Sequence, residues 1–268
     1  MNTSPSPRTI VAFNTAAASE NRIHDDATAK RFGFNGALVP GVEVYAYMCH
    51  MPVARWGRDF LERGGLECRF FKPVYDGAKT VISASESESD ALAVRVDSSD
   101  AKSAEGSAIR AHGETAPDIA GYPVVFPPAQ RLPAGFDSLP EGGALGIEPL
   151  VIDAAVRDQY LADIREDEPL YRAEGLVHPG QILRMCNAAL VQNVVLGPWI
   201  HVGSRVRNFT PAKLGDRLTL RARITSNVET KGHAIVTFDA IAVADDARVV
   251  ARIEHISIWR PRQVAQAA

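Results

Sequence analysis

The sequence repeats itself. Gly36-Ala37-Leu38-Val39-Pro40-Gly41 reappears as Gly175-Leu176-Val177-His178-Pro179-Gly180. Each copy runs into an apolar, helix-like stretch, residues 42–56 in the first and 181–195 in the second. A second pair of landmarks follows: Arg69-Phe70-Phe71-Lys72-Pro73 with Gly77, and Arg207-Asn208-Phe209-Thr210-Pro211 with Gly215. From Gly41 to Pro73 is 32 residues, and from Gly180 to Pro211 is 31. Two landmark pairs at nearly equal spacing point to a duplicated unit.

Composition supports a division into units. Residues 116–148 hold Pro117, Pro123, Pro127, Pro128, Pro133 and Pro140 with several glycines. Proline fixes φ and removes a donor, so no regular element is expected there. The reading is a first unit at 1–115, a linker at 116–148 and a second unit at 149–268. Each unit begins with a short strand (Thr9–Asn14 in the first copy), then a loop and short helix near Asp25–Phe32. A long helix opened by Pro-Gly comes next, and strands follow. In the second copy these are Trp199–Phe209, Arg217–Ser226, His233–Ala242 and Val249–Trp259, rich in Val, Ile and Thr. Asp245-Asp246 reads as the turn between the last two. In the first copy they fall near 66–73, 78–87, 90–97 and 104–114, with more Ser and Asp and so a more exposed face. One long helix and an antiparallel sheet per unit give an α+β layer whose sheet wraps the helix, and two such sheets can join edge to edge.

The chemistry this excludes is broad. Net charge is −3, so nothing favours nucleic acid or an anionic membrane. The densest basic cluster, Arg217, Arg221 and Arg223, fits one solvated strand face. No stretch reaches the length of a transmembrane helix, and the start is not a signal peptide. Three cysteines, Cys49, Cys68 and Cys186, sit in apolar surroundings. They read as buried free thiols in a reducing, cytoplasmic compartment. No His, Asp and Glu set has metal spacing, no cofactor motif is present, and there is no Gly-x-Ser-x-Gly elbow or dinucleotide fingerprint.

Only the first copy carries a candidate reactive motif, Asn21-Arg22-Ile23-His24-Asp25-Asp26, ahead of its helix. With Ala29, Gly33-Phe34 and Leu38-Val39-Pro40-Gly41, it resembles the MaoC-like acyl dehydratases, the (R)-specific enoyl-CoA hydratase family. That resemblance implies a double hotdog fold and an acyl-CoA or acyl-carrier thioester substrate. The family motif runs Asp-x-Asn-Pro-x-His. Counted back from His24, its Asp falls on Ser19 and its Pro on Arg22. Ser19 cannot supply a carboxylate, so Glu20 or Asp25 are the candidates for the acid, with Asp26 close by.

Hydration of an enoyl thioester needs a base for water, a proton for C2 and donors for the charge on the thioester oxygen. A histidine near neutrality suits the first role. Backbone N–H groups in the first turn of a helix suit the last. Hence His24 is the candidate base and acid, and Asn21 its orienting partner. Gly41 N–H, with Val42 N–H, is the candidate oxyanion site behind Pro40. Plainer readings stand beside these. Asn21 can be a cap or turn residue, Asp25-Asp26 can cap the short helix, and Gly41 can serve close packing. The second copy lacks the Asn-x-x-His and is expected to wall the acyl pocket, with His178 able to face the same cleft. His50, His112, His201, His233 and His255 read as structural. Tyr45, Tyr47, Met48 and Trp56 read as core, some of them able to line an acyl tunnel. Two alternatives remain: a thioesterase using Glu43, and a non-catalytic acyl-binding protein. Duplication already supplies the pairing that single-unit relatives obtain by association, which leaves a homodimer open.

Overall fold

The computed structural model describes residues 4–88 and 90–262. The first unit runs β1 (Arg8–Val11), a 3-10 turn (Arg22–His24), α1 (Asp26–Arg31), α2 (Gly41–Trp56), α3 (Arg58–Arg63), then β2 (Gly65–Phe70), β3 (Lys79–Glu88), β4 (Ala91–Ser98) and β5 (Ala101–Ile109). The connection holds β6 (Leu132–Pro133) and β7 (Ala144–Gly146). The second unit runs β8 (Leu150–Val151), α4 (Ala154–Asp163), α5 (Leu170–Ala173), α6 (Pro179–Asn193), β9 (Val194–Val195), β10 (Ile200–Asn208), β11 (Arg217–Thr230), β12 (His233–Ala244) and β13 (Arg248–Arg260).

The two sheets are one. Its order is β1-β3-β4-β5-β2-β10-β13-β12-β11-β7, with β8 also on β11. The units meet where β2 pairs antiparallel with β10, from Gly65 opposite Arg207 to Arg69 opposite Gly203. Helices α2 and α6 pack against each other and against the sheet. Helix α2 is apolar on nearly all sides, and Val42, Tyr45, Met48, Cys49, Met51 and Val53 are all buried. A helix of that kind needs cover all round, which the sheet and α6 supply. Strand β12 shows the complementary pattern. Ala234, Val236, Phe238, Ala240 and Ala242 alternate inward and are fully buried. Asp245 and Asp246 both have positive φ, as a two-residue hairpin turn requires.

The repeat holds in three dimensions, with one correction to its register. An isolated bridge joins Leu38 to Tyr75 in the first unit and Leu176 to Lys213 in the second. Both partners are displaced by 138 residues. The bond from Val39 N–H to the Val74 carbonyl recurs as Val177 to Ala212. At this displacement Pro40 matches His178, and Gly41 matches Pro179 rather than Gly180. The one-residue difference in landmark spacing is this slip. The connection also departs from expectation. It is largely irregular, but Ala144–Gly146 adds an edge strand to β11. Leu132-Pro133 makes a short parallel pair with Val194-Val195. Helix α5 stands where the second unit's short helix is expected, and α3 and α4 are additional. Among the described residues, no helix is long and apolar enough to cross a membrane. All three cysteines are free and buried.

Candidate active site

A cavity of about 290 Å³ opens at the seam between the units. The first unit contributes Asn21, His24, Leu38, Gly41 and the Phe70–Val74 segment, among others. The second contributes Asn187 of α6, Trp199–Val202 at the start of β10, and Ile258. The second unit thus forms one wall of the cavity.

His24 closes the 3-10 turn. Its Nδ1 lies 2.7 Å from the Leu38 carbonyl oxygen. A carbonyl only accepts, so Nδ1 carries the proton and Nε2 the lone pair. Burial lowers its pKa below the usual histidine value, against the Leu38 bond, which raises it. The imidazole is therefore neutral at neutral pH.

Asn21 fixes the other face of the ring. Its Oδ1 accepts from the backbone N–H of Trp199 at 3.2 Å and of Ile23 at 3.4 Å. Its Nδ2 donates to the Trp199 carbonyl at 2.9 Å and lies 3.3 Å from His24 Nε2. The backbone partners leave only one orientation of the amide. Asn21 is thus both the N-cap of the turn and the tie between the motif loop and the second unit. Its loss would strand a buried backbone donor and acceptor, at about 1–3 kcal/mol each.

Helix α2 begins beside this pair. Pro40 is its N-cap and offers no side-chain cap. The first intrahelical bonds run from Glu43 and Val44 to the Pro40 carbonyl. The N–H groups of Gly41 and Val42 have no backbone acceptor among the described residues. Gly41 also lies against His201 of β10. A Cβ at Gly41 would stand 2.8 Å from His201 Nδ1. Here glycine is needed for a close approach.

The acids expected near His24 are elsewhere. Glu20 is exposed and pairs with Arg131 of the connection at 3.0 Å. That pairing holds its carboxyl below the usual range. Asp25 caps α1 through the Thr28 N–H at 2.9 Å, and the same bond lowers its pKa. Asp26 pairs with Lys30. Among the described residues, no Asp or Glu lines the cavity. Glu43 is buried on the far side of α2. It accepts from Thr15 at 3.0 Å and is ion-paired to Arg184 at 2.6 Å. Tyr45, Tyr47 and Met48 are core residues, and they and Trp56 lie outside the cavity lining.

The remaining histidines divide. His178 caps α6, with Nδ1 accepting from Gly180 N–H at 3.0 Å, and does not reach the cavity. It joins a buried cluster with Glu166 and His50. Burial alone would raise the Glu166 carboxyl, but bonds and charge from those two histidines hold it well below its usual range. Arg8 bonds to His50 at 3.0 Å and lies 3.7 Å from Glu166. His201 lies in the cavity wall although its position in a strand reads as structural. It stacks on His255 at 4.1 Å. Neither His201 nor Asn187 has a local signal in the sequence, because what places them is the pairing of β2 with β10 and of α2 with α6.

By sequence the chain matches no family model and no curated protein. Solved structures do match over nearly its whole length. A MaoC domain protein from Chloroflexus aurantiacus superposes with a TM-score of 0.60 at 14% identity, covering 96% of this chain and 94% of that one. A protein from Mycobacterium tuberculosis described as having a double hotdog fold gives 0.60 at 15% identity, covering 95% and 96%. The chain is a double hotdog. The dehydratase domain of a mycocerosic acid synthase-like PKS is a further match, at 0.56 and 14%, covering 96% and 93%. Within the double hotdog, the cavity lies at the seam, and α2 supplies its N-terminal turn.

Proposed function

We propose that this double hotdog hydrates 2-enoyl thioesters and dehydrates the corresponding 3-hydroxyacyl thioesters, whether carried on CoA or on a carrier protein. The observation that carries this reading is that His24, with its Nε2 lone pair, lines one cavity with Gly41, whose N–H, like that of Val42, has no backbone acceptor among the described residues. The thioester oxygen accepts from those N–H groups, where the helix dipole also favours negative charge. Water gives one proton to His24 Nε2 as its oxygen bonds C3. The π electrons move onto the thioester oxygen, and the imidazolium then returns the proton to C2. With no carboxylate in the cavity lining, one imidazole serves as base and then acid. The 3.3 Å Asn21 contact is long enough for water to replace it at Nε2.

His24→Ala is expected to lower the hydration rate of crotonyl-CoA by roughly 10²–10⁴-fold, the usual weight of a general base. Wild-type turnover in that variant would sink the assignment. Release of free CoA would indicate a thioesterase, but Glu43, the carboxylate that reading needs, is held by Arg184 away from the cavity. The missing carboxylate favours one second reading, acyl binding without chemistry. Acyl-CoA binding that proceeds with no turnover and is indifferent to His24→Ala would establish it.

A further inference from the structure

The reaction moves a hydroxyl with two hydrogen-bonding needs. One proton of the water added or removed is exchanged with His24 Nε2, and the other stays on the hydroxyl oxygen and needs an acceptor. No carboxylate is available in the cavity wall to take it.

His201 has what is missing. Its Nε2 lies 3.0 Å from the Gly203 carbonyl and 2.8 Å from Ser204 Oγ. The carbonyl only accepts, so Nε2 is protonated and Nδ1 holds the lone pair. Ser204 continues to His255 Nδ1 at 3.1 Å, and the His255 ring stacks on His201, so the imidazole is clamped on two sides. His201 is 5% exposed. Its Nδ1 is buried, and no protein group donates to it among the described residues. A buried acceptor left without a donor is costly and uncommon in a folded protein. The atom faces Gly41, where an added Cβ would stand only 2.8 Å from it. Both residues line the cavity. The glycine at 41 thus leaves no side chain against the unpartnered nitrogen of His201, at the start of α2.

We infer that His201, from the second unit, accepts a hydrogen bond from the hydroxyl added or removed at C3, so that each unit contributes one imidazole to a single reaction. The inference rests on the hydratase reading above. In the hydration direction the O–H bond that breaks sends its proton to His24 Nε2, and the O–H bond that survives points at His201 Nδ1. His201 keeps its own proton on Nε2 throughout, so it positions the oxygen and exchanges nothing. The preferred ligand is then a 3-hydroxyacyl thioester over the same chain without the hydroxyl.

Binding tests this without turnover. Titrations would compare 3-hydroxybutyryl-CoA with butyryl-CoA on the full chain. One hydrogen bond to a buried acceptor predicts a preference of about 3–10-fold for the hydroxylated ligand. His201→Phe keeps a ring of similar size and should abolish that preference, read as the ratio of the two affinities within the variant. His201→Gln returns an acceptor and should restore part of it. In wild-type protein with ¹⁵N-labelled histidine, the His201 Nδ1 resonance should shift on adding 3-hydroxybutyryl-CoA more than on adding butyryl-CoA, a readout that needs no variant. Equal affinity for the two ligands in the wild type, or a preference that survives in His201→Phe, overturns the inference. Failure to bind either thioester would instead overturn the hydratase reading and remove its basis.

Discussion

Helix α2 starts at Pro40-Gly41 with two backbone N–H groups that no backbone acceptor takes up; helix α6 starts at His178-Pro179 with none to spare. In the register fixed by the Leu38–Tyr75 and Leu176–Lys213 bridges, Gly41 corresponds to Pro179, which has no N–H at all. Val42 corresponds to Gly180, whose N–H is taken by His178 Nδ1. Gln181 completes the capping box through the His178 N–H. The cavities differ in the same sense. Val39, Gly41, Val44, Pro73 and Val74 line the 290 Å³ cavity, and their counterparts Val177, Pro179, Ile182, Pro211 and Ala212 line one of only about 20 Å³. Two copies of one fold have therefore been used in two ways. One helix end is left unsatisfied and open to a ligand, and the other is capped and packed shut. At the helix starts themselves they differ in the residue at the N-cap and the one after it.

The sharpest way to break that comparison is to give the first helix the second helix's residue. Gly41→Pro removes one donor at a position where proline suits a helix. It also places a ring against His201, 2.8 Å from where its Cβ would stand. Loss of one oxyanion donor is worth about 10²–10³-fold in kcat, and steady-state hydration of crotonyl-CoA measures it. If Gly41→Pro retains wild-type kcat, the open helix end has no part in the chemistry.

The converse change falls on stability alone. His178→Ala uncaps α6 and leaves Glu166, 3.8 Å from His178 Nε2, with one fewer partner. A lost cap costs about 1 kcal/mol and a weakened buried charge pair more, so a loss of roughly 2–4 kcal/mol in urea unfolding is predicted. kcat should stay within about twofold, because no atom of His178 lines the cavity. A collapse of kcat in a folded His178→Ala protein would mean that the sealed half takes part after all.

Much of this difference was legible in the sequence, and the limits of that legibility are physical. Local pattern carried the duplication, the two central helices and the β10–β13 strands, because the apolar periodicity of a buried helix and the alternation of a half-buried strand are properties of single segments. The motif Asn21 to His24 was legible for the same reason, as a short loop whose side chains bond within it. Three things were not. The register slip at Pro40 and His178 depends on backbone bridges that leave no mark in residue type. Trp199, which holds Asn21, acts through its backbone, so its identity is silent. His201 and Asn187 enter the site only because the units join along β2 and β10. The acids lie elsewhere for a different reason. Glu20 and Asp25 adjoin the motif in sequence, but Arg131 and the start of α1 claim them.

Acid should unravel the sealed half. Burial brings His201 down to about 3 and His255 well below its usual value, with the His201 charge adding to the latter. Both are neutral when folded, while the unfolded chain takes up protons near 6.5. Their contribution is whole above that value and is lost as pH falls below it, for His201 down to about 3. The slope reaches up to about 1.4 kcal/mol per pH unit for each histidine. The Glu166 carboxylate is held below its ordinary value of 4.5, so its contribution is lost over the same descent, beginning lower. Urea midpoints at pH 7, 5.5 and 4 would show the fall. A stability flat across that range would remove the neutral, buried histidine pair from the account.

The smallest effect is expected at the acids that the sequence placed nearest the histidine. Glu20 is held at the surface by Arg131, and Asp25 spends its carboxylate on the Thr28 N–H. Neither belongs to the cavity lining. Glu20→Gln and Asp25→Asn keep size and remove charge, and each should change kcat for crotonyl-CoA hydration by less than about twofold, because exposed charges act weakly through water. The same variants discriminate between two routes for the proton. If His24 both takes and returns it, the two single variants and their double all remain active, and the pH profile keeps one limb, set by a histidine whose pKa burial has lowered. If either substitution removes activity while the protein stays folded, that carboxylate must swing in from the surface when substrate binds. The first unit would then assemble its acid only in the complex, and its advantage over the sealed second unit would lie in a mobile loop as much as in an open helix end.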